Sequence, residues 1–106
     1  MESLVRRLGD ELGDDLVAVW LYGSRARGEP RKPESDVDLL IIARGGHRHW
    51  SRAFRALTEI ADAEGASPAF FSIKVFEPDW VEERRRIESF FIQEVDRDKV
   101  VLAGAP

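Results

Sequence analysis

The stretch WLYGSRARGEPRKPESDVDLLII, residues 20–42, joins two apolar runs through a glycine, a serine, a basic loop and two aspartates. The first run, LVAVWLY at 16–22, is short and rich in strand formers, and Gly23 ends it. The second, VDLLIIA at 37–43, reads as another buried strand. Pro30 and Pro33 keep the intervening segment from forming a long helix, although Ser24 to Gly28 has room for one helical turn. That connection is too short for the crossover helix parallel neighbours need, so the two strands are expected to pair antiparallel. The end of the first then lies beside the start of the second, with Gly23 and Ser24 next to Asp36 and Asp38.

Outward from this stretch the pattern alternates. Leu4, Leu8 and Leu12, with Val5 beside them, form a helical stripe over residues 3–12 that Gly13 closes. After Gly45-Gly46, the residues Trp50, Phe54, Leu57, Ile60 and Ala61 predict one face of a second helix ending near Gly65. AFFSIKVF at 69–76 alternates Phe71, Ile73 and Val75 with Ser72 and Lys74, a strand with one apolar and one polar face. Pro78-Asp79 opens what reads as one long helix, with Trp80, Ile87, Phe90, Phe91 and Val95 toward the core, and KVVLA forms a last strand. The expected order is helix, strand, strand, helix, strand, helix, strand. The fold class is α/β (α+β), a small mixed, partly antiparallel sheet flanked by helices.

The 106 residues fit a single domain, 1–106, with little surface for a separate substrate module. No cysteine is present, which excludes a disulfide framework and a thiolate metal site. The N-terminus is charged throughout, and no apolar run approaches the ~20 residues that span a bilayer. A soluble, cytoplasmic protein is expected. A net charge of -4 argues against electrostatic binding of nucleic acid by the whole molecule. Arg25, Arg27, Arg31 and Lys32 nevertheless cluster just after Gly23-Ser24.

Asp36 and Asp38 stand at i and i+2 at a strand entrance, so their side chains share a face with Cα atoms roughly 6.6 Å apart. Alone they repel. A hard divalent cation reverses that balance, and magnesium is typically held by one or two carboxylates plus substrate phosphates. Gly23 lets a phosphate approach the backbone, and Ser24 offers a hydroxyl. Arg25 or Arg27 can pair with phosphate oxygens through a planar fork. Phosphoryl and nucleotidyl transfer ask a protein mainly for positioning and charge neutralisation.

Gly23-Ser24-Arg25-Ala26-Arg27-Gly28, followed by Ser35-Asp36-Val37-Asp38-Leu39, resembles the signature of the DNA-polymerase-beta-like nucleotidyltransferase superfamily, in its minimal nucleotidyltransferase (MNT) branch. The motif spans about a sixth of the chain, and the element order extends the likeness less specifically. The resemblance implies that Gly23 and Ser24, with Arg25 and Arg27, bind the nucleotide, and that Asp36 and Asp38 are catalytic and ligate Mg2+. It implies transfer of a nucleoside monophosphate, AMP from ATP, to a hydroxyl. It further implies an antitoxin role beside a helical HEPN partner, in some members by adenylylating that partner. The alternatives are a catalytically silent nucleotide-binding module that neutralises a partner by occlusion, and a stand-alone transferase acting on a small molecule. Homo-oligomerisation is compatible with any of these.

Two departures from the family pattern stand out. The loop between Ser24 and Asp36 holds 11 residues, one more than the commonest spacing in that branch. The superfamily usually draws a third carboxylate from a later strand, and AFFSIKVF contains none; Glu77 and Asp79 lie just beyond it. Losing a general base costs 10²–10⁴-fold in typical cases. Lys74, on the polar face of that strand, could substitute for one metal's charge.

His47 and His49 flank Arg48 and are expected in a solvated loop or helix entrance, with no third metal ligand nearby. Trp50, Trp80, Phe90 and Phe91 are expected in the core; any left exposed would favour a partner interface. Arg84-Arg85-Arg86 among Glu82, Glu83 and Glu88 reads as a solvated, locally paired helix face.

Overall fold

The structure is a computed structural model, and it describes residues 2–23, 26–28, 37–63, 65 and 71–106. Helix α1 (Glu2–Leu12) is followed by a 3-10 turn and strand β1 (Leu16–Tyr22). Strand β2 (Val37–Ala43), a second 3-10 turn and helix α2 (Trp50–Ala63) come next. Strand β3 (Phe71–Phe76), helix α3 (Pro78–Arg86), helix α4 (Phe90–Asp98) and strand β4 (Val100–Gly104) complete the order. The four strands form one mixed sheet in the order β3-β2-β1-β4. β1 pairs antiparallel with both β2 and β4, whereas β2 and β3 run parallel.

Alternation along the central strands divides the core in two. Val19, Leu39 and Ile41 face α1 and α2, where they pack with Leu4, Leu8, Leu12, Ala53 and Leu57. Trp20, Tyr22, Leu40 and Ile42 face α3 and α4, where they pack with Val81, Ile92 and Val95. Both faces of the sheet are therefore covered, which is why β1 and β2 read as nearly continuous apolar runs. Trp20 fastens the C-terminal strand and α3 on its face of the sheet. Its indole N–H donates to the Ala105 carbonyl at 2.8 Å, Lys99 Nζ sits 3.7 Å from the ring centroid, and the Arg85 guanidinium lies 5.4 Å away.

Three expectations change. The single long helix after Pro78 is two helices. Glu88 turns the chain with φ 56, and the Ser89 side chain caps α4 by accepting from the Ile92 N–H at 3.3 Å. The break rotates the apolar set. Trp80 remains half-buried and Val95 buried, but Ile87, Phe90 and Phe91 are exposed, Phe90 at 74%. On α2 the buried face is Ala53, Ala56, Leu57 and Ala61, while Trp50 and Phe54 lie outside, stacked at 4.9 Å. Small side chains let α2 approach α1 and the sheet closely; the two large rings do not fit there.

Candidate active site

β1 ends at Tyr22, and the antiparallel register places Tyr22 directly opposite Asp38, the second residue of β2. Gly23 follows with φ 76, and a Cβ there would run into Asp38 Oδ2 and lie 3.3 Å from its Cγ. Glycine is required at this position twice over: for the backbone angle, and for room beside the carboxylate. The chain then turns, with the Arg27 N–H donating to the Gly23 carbonyl at 3.2 Å. Helix α4 closes the other side. Tyr22, Gly23, Arg27, Phe91, Glu94 and Val95 line a cleft of about 160 Å³.

The expected neighbourhood of Gly23, Arg27 and Asp38 is therefore present. Ser24, Arg25 and Asp36 lie outside the described residues. Tyr22, which the motif does not feature, is the additional residue here. Its phenol is pushed up to about 12, chiefly by burial and secondarily by the Asp38 charge. Its ring meets Phe91 edge-on at 5.8 Å. The sequence signal for Tyr22 was available: it is the last residue of a strand whose partner begins at the aspartates.

The third-carboxylate question has a geometric answer for two candidates. Asp38 pairs with Ser72 across the parallel β2–β3 ladder, and Lys74 lies on the next rung of the same face, beside Leu40. Glu77 follows the far end of β3, where its Oε1 accepts from the Gly45 N–H at 3.0 Å. Five residues of strand separate that end from the Asp38 rung, roughly 16 Å. Asp79 stands beyond it, in the first turn of α3. Neither carboxylate serves Asp38.

His49 is not solvated as expected. It is 6% exposed, with Nε2 2.9 Å from the Arg44 carbonyl and 3.2 Å from Asp15 Oδ2. It ties the end of β2 to the turn before β1. His47 is exposed as expected. The Arg84–Arg86 face is solvated only in part. Arg86 pairs with Glu83, Arg85 forms a two-pronged pair with Asp96, and Arg84 sits over Trp80.

Among the described residues no group of three or more His, Cys, Asp or Glu side chains could hold a metal. The donors at the junction are nonetheless of the kind a hard cation takes: the Asp38 carboxylate, with the hydroxyl-bearing Ser72 opposite it on the neighbouring strand. No helix is long and apolar enough to cross a membrane among the described residues.

A family model described as a nucleotidyltransferase domain matches residues 1–103. The chain belongs to the nucleotidyltransferase-domain family. A Methanocaldococcus jannaschii protein, named by inference as a protein adenylyltransferase, is 41% identical over 44 residues, which are 42% of this chain and 29% of that protein. A toxin–antitoxin structure with AMP-PNP superposes with TM-score 0.64 at 17% identity, covering 98% of this chain and 73% of that one. A mutant of the toxin–antitoxin MntA-HpeT superposes with TM-score 0.63 at 16% identity, with the same coverages. At those identities the structural likeness establishes the fold, that of a nucleotidyltransferase domain with its mixed four-stranded sheet between helices.

Proposed function

We propose that this nucleotidyltransferase domain transfers AMP from ATP to a hydroxyl on a partner protein, and that it is the antitoxin-like half of a cytoplasmic pair with a helical, HEPN-type toxin. The observation that carries the reading is the junction itself. A carboxylate on β2 lies against a glycine that leaves β1 at positive φ, which sets an acid able to hold a cation beside backbone that a phosphate can approach. Family membership supports transfer, and the toxin–antitoxin neighbours, one with AMP-PNP, support the nucleotide and the partner.

In this reading Gly23, Ser24, Arg25 and Arg27 position the triphosphate, and Asp36 and Asp38 are the catalytic pair. The two aspartates would hold Mg2+, which supplies neutralisation of charge on the transferring phosphate. Tyr22 stays protonated at physiological pH and packs beside Asp38, keeping bulk water from that side of the carboxylate. Glycine at position 23 leaves room for the Asp38 carboxylate against the backbone. The acceptor hydroxyl comes from the partner, for which Phe91 at the cleft and exposed Phe90 and Ile87 at the α3–α4 elbow provide apolar surface. Residues 1–103 match one family model, which supports residues 1–106 acting as a single domain.

One observation favours a second reading. The β3 residue opposite Asp38 is a serine, and the next β3 residue on that face is Lys74, so no acid from that strand assists. A domain lacking that group would bind nucleotide and neutralise its partner by occupation alone. Pyrophosphate release separates the two. Mixing the complex purified from its native cell with ATP and Mg2+ should release pyrophosphate, and Asp38→Asn should abolish it. An intact complex that binds ATP without releasing pyrophosphate would establish the second reading.

A further inference from the structure

The sheet face that carries Asp38 continues past Ser72 to Lys74 and Phe76, since alternate β3 residues share a face. Above it, between β3 and the α3–α4 elbow, lies a cavity of about 260 Å³ lined by Lys74, Phe76, Trp80, Arg84, Ser89 and Phe91. Phe91 lines the cleft at Gly23 as well, so the two cavities share a wall.

The lining is aromatic and hydrogen-donating. Phe76 and Trp80 stack at 3.8 Å between centroids and 9° between planes, and Phe91 meets Trp80 edge-on at 6.4 Å. The Arg84 guanidinium lies 5.2 Å from the Trp80 centroid, and its buried Nε–H has no hydrogen-bond partner among the described residues. Folded proteins retain few such buried, unpaired donors, and a ligand is one reason to keep one. Ser89 accepts from Ile92 and still has its hydroxyl proton to give. Lys74 carries donors alone. Every polar side chain at the cavity therefore has hydrogen to offer a ligand.

We infer that this groove is the nucleobase subsite of the cleft, and that it takes a purine, with Arg84 Nε–H and Lys74 donating to ring acceptors beside the Trp80 wall. The inference rests on the nucleotidyl-transfer reading above. The Lys74 rung is roughly 6.6 Å along the strand from the Ser72 rung opposite Asp38, a span that a ribose bridges between phosphate and base. Purine rings present ring-nitrogen acceptors to the Arg84 and Lys74 donors and more apolar surface than a pyrimidine to lay against the aromatic lining. Neither residue belongs to the glycine–serine–aspartate motif.

The test is calorimetry on the full chain with Mg2+ and, separately, ATP, GTP, CTP and inorganic tripolyphosphate. ATP and GTP should bind at least about tenfold more tightly than CTP, as expected where the larger base buries more apolar surface. Arg84→Met should weaken ATP by about tenfold and leave tripolyphosphate unchanged. Arg84→Lys, which keeps the charge but lacks Nε–H, should also weaken ATP. Circular dichroism confirms that each variant is folded. A folded Arg84→Met that binds ATP like wild type would overturn the subsite, as would equal losses of ATP and tripolyphosphate, which would make the groove a phosphate site. Wild-type protein that binds tripolyphosphate but no nucleotide more tightly would refute the subsite alone. Protein that binds neither would refute the nucleotidyl-transfer reading beneath it.

Discussion

Asp38 on β2 and Ser72 on β3 face each other across one rung of the parallel ladder. This pair holds the place where a second strand could add an acid to the site. Ser72→Asp should therefore raise Mg2+-dependent transfer by about a hundredfold, the lower end of what a general base contributes. The same variant should melt earlier than wild type in chelator, because neighbouring carboxylates repel, and recover when Mg2+ is added. Transfer rate and thermal melts with and without Mg2+ check both parts. An unchanged rate would mean that this rung does not adjoin the reacting atoms.

Gly23→Ala adds a methyl where Asp38 Oδ2 already stands, on a backbone at φ 76. The left-handed conformation alone costs about 1–2 kcal/mol for a side-chain-bearing residue. Thermal or denaturant unfolding should register that loss, and nucleotide binding should fall further than the stability change explains. Binding as tight as wild type would show that the approach between Gly23 and Asp38 is not used.

Tyr22 is the chain's one tyrosine, so its ultraviolet tyrosinate absorbance titrates it alone. The folded phenol ionises at about 12 rather than 10.0, first because it is buried and second because Asp38 is negative. The folded state thus holds this proton more tightly than the unfolded chain does. Its contribution to stability is whole below pH 10 and drains away as pH rises from 10 toward 12. Tyr22→Phe should remove that part of the alkaline slope. Asp38→Asn should lower the titration midpoint only partly, since burial is the larger cause.

Glu77 and Asp79 lie at the end of the β2–β3 ladder away from Asp38. Glu77→Gln and Asp79→Asn should leave transfer rate and Mg2+ dependence unchanged. A hundredfold loss in either would contradict the strand register.

Asp96 joins the two helices over the Trp20 face, accepting from Arg85 at 2.9 and 2.7 Å and from Lys99 at 2.7 Å. The hydrogen bonds from Arg85 first, then those from Lys99, outweigh burial and hold its carboxyl below the ordinary range. A carboxyl lowered on folding stabilises above its unfolded value near 3.8, and that contribution is lost as pH falls through the folded value. Asp96→Asn should cost about 0.5–1 kcal/mol at neutral pH, the pair being partly exposed, and the difference should vanish in acid.

Strands β1 and β2 have the bounds their apolar runs predicted, because glycine and charged residues delimit both and both faces of each are covered. Their antiparallel pairing followed from the absence of a crossover helix, and it brought Gly23 to Asp38. What periodicity could not supply was size and breakage. Trp50 and Phe54 fall on helical spacing with Leu57, yet the face buried against α1 and the sheet is Ala53, Ala56 and Leu57. The residues from Trp80 to Val95 suggest a single helix until Glu88 takes a positive φ, a conformation rare for non-glycine residues. Ser89 before two phenylalanines was the readable capping signal. The purine groove was invisible for the same reason, since it exists only because α3 and α4 meet at that elbow.

The most direct measurement is the intact mass of whatever partner co-purifies with this protein, after incubation with ATP and Mg2+. The account predicts that the partner gains one or more AMP units with the wild-type domain and none with Asp36→Asn/Asp38→Asn. A tightly bound partner whose mass stays the same with either protein would contradict it.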